Sequence, residues 1–198
     1  MSLYWQGEVD WGDEHSLLRR FFARAYDELR AEAIRCLGMW LAHEKSVPAE
    51  VLERMRRIWE IRRDATIENA DHAREMAAFG WWPVSGKFDE AWAMAQLNDI
   101  RTCGAKVTPE PQVMKWLADV APRFAHDAVR CLELFAEGPE WGAHAPLWDR
   151  ESNAILSVGL RDPAQETRQA AADLINRLGS LGHRQFRQLL PGPGVTPP

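Results

Sequence analysis

Apolar residues recur every three or four positions along most of the chain, the period of an amphipathic helix rather than of a strand. Leu18, Phe22, Ala25, Leu29, Ala33, Cys36 and Trp40 form the first such stripe. Asp13 reads as its N-cap, with Glu14 placed where the helix dipole favours negative charge. No Gly or Pro lies between Glu14 and Leu37, which predicts one long helix with Gly38 in its last turn or at a break. Ser46 and Pro48 open the next element, whose stripe is Leu52, Met55, Ile58 and Trp59. The pattern weakens over "RRDATIEN" and resumes to Phe79, so two helices joined near Asp64 are expected, with one bent helix as the alternative. Gly80 is then expected as a C-cap, and Pro83 as a block to continuation.

Further helices are predicted from Ser85 or Asp89 to Gly104, and from Thr108-Pro109 along Val113, Leu117 and Val120. After Pro122 comes the stripe Ala125, Ala128, Leu132 and Phe135, ended by Gly138. "GPEWGAHAPLW" reads as a loop, followed by two helices split at Asp162-Pro163 and a short one around Phe186. No segment alternates apolar and polar residues for long enough to suggest a strand. About eight or nine short helices, paired at a period of about 40 residues, predict an all-α fold: a HEAT/armadillo-like α-solenoid of antiparallel helix pairs. Residues 1–12 read as an N-terminal extension in which Met1-Ser2-Leu3 is a candidate vector remnant; if it is one, the chain is a fragment of something longer. Residues 13–190 read as a single helical repeat domain, and 191–198, "PGPGVTPP", as a disordered tail.

Composition narrows the function more than the fold. The chain has 198 residues, 46% hydrophobic and 27% charged, enough to bury a core. A formal charge of −5 argues against a module that lives by neutralising phosphates. Arg54, Arg56, Arg57, Arg62 and Arg63 do cluster, but Glu53, Glu60 and Asp64 are interleaved, as on a solvated helix face. Cys36, Cys103 and Cys131 are scattered, with no CxxC pair, and read as reduced, buried thiols of a cytoplasmic protein. No apolar run approaches the roughly 20 residues that span a bilayer, and the N-terminus lacks the pattern of a signal peptide.

Motifs that carry chemistry are wanting. His15, His43, His72, His126, His144 and His183 show no metal-ligand spacing, and no serine sits in a Gly-x-Ser-x-Gly elbow. No carboxylate pair stands out, and there is no GxxxxGK[ST] loop, so no catalytic residue, metal or cofactor is expected. The unusual stretch is "FGWWPVSGKFDEAW", Phe79 to Trp92. Phe79, Trp81 and Trp92 are expected to seal an inter-helix wedge, with Phe88 one turn before Trp92. Trp82, adjacent to Trp81, is expected to diverge outward and meet a partner. Trp141 and His144 flank a Gly/Pro loop and offer a second edge, with Trp148 anchoring the helix beyond. Trp82, Lys87, Trp141 and His144 are therefore the partner-binding candidates.

Two segments resemble known families. "ILSVGLRDPAQETRQAAADLINRLGSLG", Ile155 to Gly182, resembles a HEAT repeat: an Asp162-Pro163 turn, Arg168 beyond it, the small face Ala170-Ala171-Ala172, then Leu174, Ile175 and Leu178. In that reading Asp162 caps the second helix and Pro163 fills its first position. "REMAAFGWWPVSGKFDEAWAMAQLNDI", Arg74 to Ile100, resembles the C-terminal helical region of large bacterial multidomain STAND-type ATPases linked to anti-phage defence. The resemblance implies a non-catalytic module that senses, scaffolds or oligomerises, with a protein or a neighbouring domain as partner and nucleotide chemistry elsewhere. The alternative is a nucleic-acid-binding module like the HEAT-like DNA glycosylases, for which "RMRRIWEIRR" is the supporting stretch.

Overall fold

The computed structural model describes residues 17–67, 73–102, 107, 110–136 and 147–190, and every regular element among them is helical. The expected N-terminal extension, Gly104, Thr108, Pro109, Gly138 and the Pro/Gly tail lie outside the described residues.

The first predicted helix is two. α1, Leu17–Arg24, and α2, Asp27–His43, are separated at Tyr26, whose backbone is extended at φ −76° and ψ 166°. Neither Gly nor Pro makes the break. Asp27 and Glu28 favour a new N-terminus here, and a guanidinium N–H of Arg30 donates to the Ala25 carbonyl that the break leaves open. Each residue advances a helix by about 100°, so a two-residue joint resets the phase of the stripe. The buried face of α2 is accordingly Arg30, Ile34, Leu37, Gly38 and Leu41, not Leu29, Ala33, Cys36 and Trp40.

α3, Ala49–Ile67, is a single helix through Asp64. The apolar pattern fades after Ile61 because Arg62 and Arg63 point inward to side-chain acceptors on other helices. α4, Ala73–Ala77, passes through a 3-10 turn, Ala78–Gly80, into α5, Trp81–Val84. Gly80 is therefore no C-cap: it stands at φ −55° and ψ −24°, ordinary helical backbone. Pro83 does not prevent continuation either, because it lies within the first turn of α5, where a missing N–H costs nothing. The segment stops at Gly86, whose φ of 64° few side chains tolerate.

α6, Glu90–Thr102, begins as expected at Asp89, whose carboxylate accepts the Trp92 N–H at 2.9 Å. α7, Glu110–Val120, α8, Ala125–Ala136, α9, Asp149–Arg161, and α10, Gln165–Ser180, follow, and a 3-10 turn, Arg184–Leu189, buries Phe186. α2 packs on α4 and α5, α5 on α6 and α7, and α6 on α8. α7 and α8 both pack on α9, and α8 also on α10. The α9–α10 joint differs from the expected cap. The N-cap position belongs to Ala164, and Pro163 lies ahead of the helix. Asp162 instead folds its carboxylate onto the Ala164 N–H at 2.8 Å, closing a turn rather than capping the helix. Arg168 reinforces that turn by donating to the carbonyls of Asp162 and Pro163, at 2.7 and 2.6 Å.

Candidate functional site

The aromatic corner is built by three helices closing on one seam. Phe79 ends the apolar run that begins at Met76, and stacks on Trp59 of α3 with centroids 4.0 Å apart. Trp92 reaches the same seam from α6 and meets Phe79 edge-on at 5.9 Å. Both are buried, as the sequence predicts. Trp82 is not the outward ring: its exposure is 0%, while Trp81 is only partly covered. In a helix, consecutive side chains diverge by about 100°, not to opposite sides, and α5 turns Trp82 toward α2. There its indole N–H donates to the Ile34 carbonyl at 2.9 Å, and its ring lies parallel to Phe88 at 5.6 Å. The approach is close because α2 presents Gly38 at this point. A Cβ built on Gly38 falls 2.6 Å from Trp81 Cβ and 2.6 Å from Trp82 Cδ1.

Lys87 is half-buried and spans connections within the chain: its ammonium donates to the Lys45 carbonyl at 3.3 Å. Its backbone N–H donates to Ser85 Oγ, also at 3.3 Å. The structure thus brings Trp82 and Lys87 to one corner, Trp82 inside it and Lys87 on its rim. Trp141 and His144 lie outside the described residues. Trp148 is buried at the entry to α9, edge-on to Phe135 at 6.3 Å.

Beside the corner, ion pairs replace apolar packing. Glu75 of α4 is fully buried and takes Arg62 Nε at 2.5 Å, Arg62 Nη2 at 2.9 Å and Arg30 Nε at 2.8 Å. One carboxylate thus joins α2, α3 and α4 through charge-assisted bonds. Glu75 shares a helix face with Ala78 and Phe79, three and four residues on, and that spacing is the signal by which its burial is legible in the sequence. Gln96 is buried as well, accepting from Trp59 Nε1 at 2.9 Å and from Arg63 at 2.7 Å. Arg63 also reaches Asp99 at 3.2 Å. Arg56 binds Glu60 at 3.0 Å and lies over the Trp92 ring, whose N–H donates to the same Glu60. The expected solvated arginine face is thus partly an internal one, with Arg62 and Arg63 drawn in.

Among the described residues, the isolated polar groups do not converge on a reacting centre. His43 is exposed, and His126 lies 3.5 Å from Thr167 Oγ1. Among the described residues, no group of three His, Cys, Asp or Glu side chains could hold a metal ion, and no helix is long and apolar enough to cross a membrane. Cys131 is buried, whereas Cys36 is half-exposed, contrary to expectation. Burial, and then the neighbouring Glu32, push the Cys36 thiol above its ordinary value. Hydrogen bonds from Arg35 and then Cys36 hold the Glu32 carboxyl down at about 2. A thiol so held protonated is a poor nucleophile. No protein family, curated protein or solved structure matches the chain.

Proposed function

We propose that the chain is a non-catalytic interaction module, a short HEAT-like solenoid serving as a sensor or scaffold within a larger bacterial cytoplasmic protein. The observation that carries this reading is where the reactive side chains go. The glutamates and arginines at the aromatic corner bind one another, and Trp59, Phe79, Trp82 and Trp92 face inward. Among the described residues, isolated large apolar side chains such as Tyr26, Ile61, Leu147 and Leu181 face solvent on the helix surface. Such surfaces dock other proteins without a pocket.

The solenoid form is supported by the last helix pair. α9 and α10 pack tightly, with a Cβ built on Gly159 only 3.0 Å from Ala171 Cβ. Small residues at a crossing let two backbones approach. The nucleic-acid reading loses its main support, because Arg56, Arg62 and Arg63 already neutralise carboxylates. Assays for ATPase, nuclease and esterase turnover test the reading, paired with cross-linking in cells of the wild type and a Tyr26→Lys, Leu181→Lys variant. No turnover, and cross-links lost from a still-folded variant, are expected. Reproducible turnover abolished by one point substitution would overturn it.

A further inference from the structure

We propose that the outer face of α2 is a dimer seam that takes a second copy of this chain, antiparallel, about a two-fold axis at Ala33. The joint at Tyr26 turns α2 so that Arg30, Ile34, Leu37, Gly38 and Leu41 form its buried face. Leu29, Ala33, Cys36 and Trp40 are left roughly a quarter turn away, a second apolar stripe on the same helix. Their spacing of four, three and four residues is that of a coiled-coil seam, the pattern by which one helix receives another. Ala33 and Trp40 lean partly on the core, and Cys36 is half-exposed. Leu29, and Tyr26 at the head of the stripe, are 42% and 67% exposed.

The order of residues selects the occupant. A two-fold axis requires a surface complementary to itself. About Ala33 the stripe is nearly palindromic: Tyr26 and Trp40 stand seven residues to either side, Leu29 four before and Cys36 three after. An antiparallel copy therefore sets aromatic against aromatic and Leu29 against the small apolar Cys36. Ala33 meets Ala33, where the lack of bulk lets the helices close. Charge agrees with this pairing. Glu32 and Arg35 pair on the rim of the stripe, the carboxylate accepting from the Cys36 thiol at 3.3 Å and the guanidinium lying 3.9 Å from the same sulfur. The axis passes close to both, so it brings the Arg35 of one copy beside the Glu32 of the other. A parallel copy would set like charge against like charge.

Sedimentation velocity on the purified full chain tests this, and since no other protein is present, its failure leaves the interaction reading untouched. The wild type should pass from monomer to dimer within the micromolar range. Leu29→Lys should raise the dimer Kd by about tenfold or more with helical circular dichroism unchanged, and Arg35→Glu should do the same. Adding Glu32→Arg to Arg35→Glu restores opposite charges across the axis and should recover the dimer. Under a mild oxidant Ala33→Cys should give a disulfide-linked dimer bridged between the two substituted positions, whereas Glu53→Cys, at an exposed position on α3, should not. A wild type still monomeric at about 200 µM overturns the proposal, as does a dimer indifferent to Leu29→Lys and Arg35→Glu. Loss of helix on Leu29→Lys would assign Leu29 to the core and overturn it equally. So would Ala33→Cys linking no faster than the control, because the stripe would then face something other than a second copy.

Discussion

Replacing Trp82 with alanine removes the ring that fastens α5 to α2. The side chain is fully buried, so nothing solvent-exposed compensates for its loss. Truncating a large buried aromatic costs about 3–5 kcal/mol, from lost transfer free energy plus the cavity left behind. Its parallel contact with Phe88 and its tilted contacts with Phe79 and Trp59, at 5.8 and 6.1 Å, place it toward the upper end. The hydrogen bond to Ile34 adds about 1 kcal/mol at most, since that carbonyl also receives the helical N–H of Gly38 and is not orphaned. Against a total stability of about 5–15 kcal/mol for such a domain, this is a large fraction. Urea unfolding followed by far-ultraviolet circular dichroism, whose dominant helical signal survives the loss of the indole, should show a strongly lowered midpoint. Trp82→Phe should recover most of the loss. An unchanged midpoint for Trp82→Ala would mean that the ring faces solvent and that the corner has been assembled the wrong way round.

Gly38→Ala should destabilise by about 1–3 kcal/mol in the same titration, because its methyl group meets Trp81 and Trp82 at 2.6 Å; a neutral or stabilising result would show that α5 yields freely. Glu75→Gln leaves Arg30 and Arg62 facing a neutral side chain in a buried site and should cost about 3–5 kcal/mol, checked against the exposed control Glu166→Gln. Glu32 has a folded-state pKa depressed to about 2, so its stabilising contribution is present above the ordinary carboxyl value and is lost as pH falls toward 2. A carboxyl carbon NMR titration with a midpoint near 4.5 would contradict this. Cys36 should react slowly with a thiol-specific disulfide reagent at neutral pH and accelerate only in alkaline buffer, read as peptide-resolved modification.

Much of the helical layout is legible from periodicity, and some of the site is. Asp89 signals its helix start by an acceptor set three residues ahead of the N–H it binds, and Phe79 and Trp92 follow from the apolar runs they continue. The break at Tyr26 is illegible because it has no Gly or Pro. Its determinant is Arg30, whose partner Glu75 lies 45 residues away. Gly80 and Pro83 mislead for the opposite reason: both are common stop signals, yet both are compatible with the first turn of a helix. Trp82 is hidden in the sequence because adjacency to Trp81 does not place the two rings on opposite faces. Trp82 meets both α2 and α3 at the corner, and a divergence of about 100° lets one ring go fully inside while its neighbour stays half-covered. The arginine stretch is ambiguous locally, since its acceptors Glu75, Gln96 and Asp99 come from elsewhere in the chain.

The crowding of rings at the corner makes the protein its own spectroscopic reporter. Trp59 and Trp82 sit 6.1 Å apart at an interplanar angle of 49°, a chiral arrangement in which two indole transitions couple strongly. Their coupling should add an exciton couplet, strongest in the far ultraviolet, to the helical dichroism of the folded chain. That couplet should be lost when α3 and α5 part, even if both remain helical. The state of that one seam can thus be followed by light alone, without a label and without knowledge of any partner.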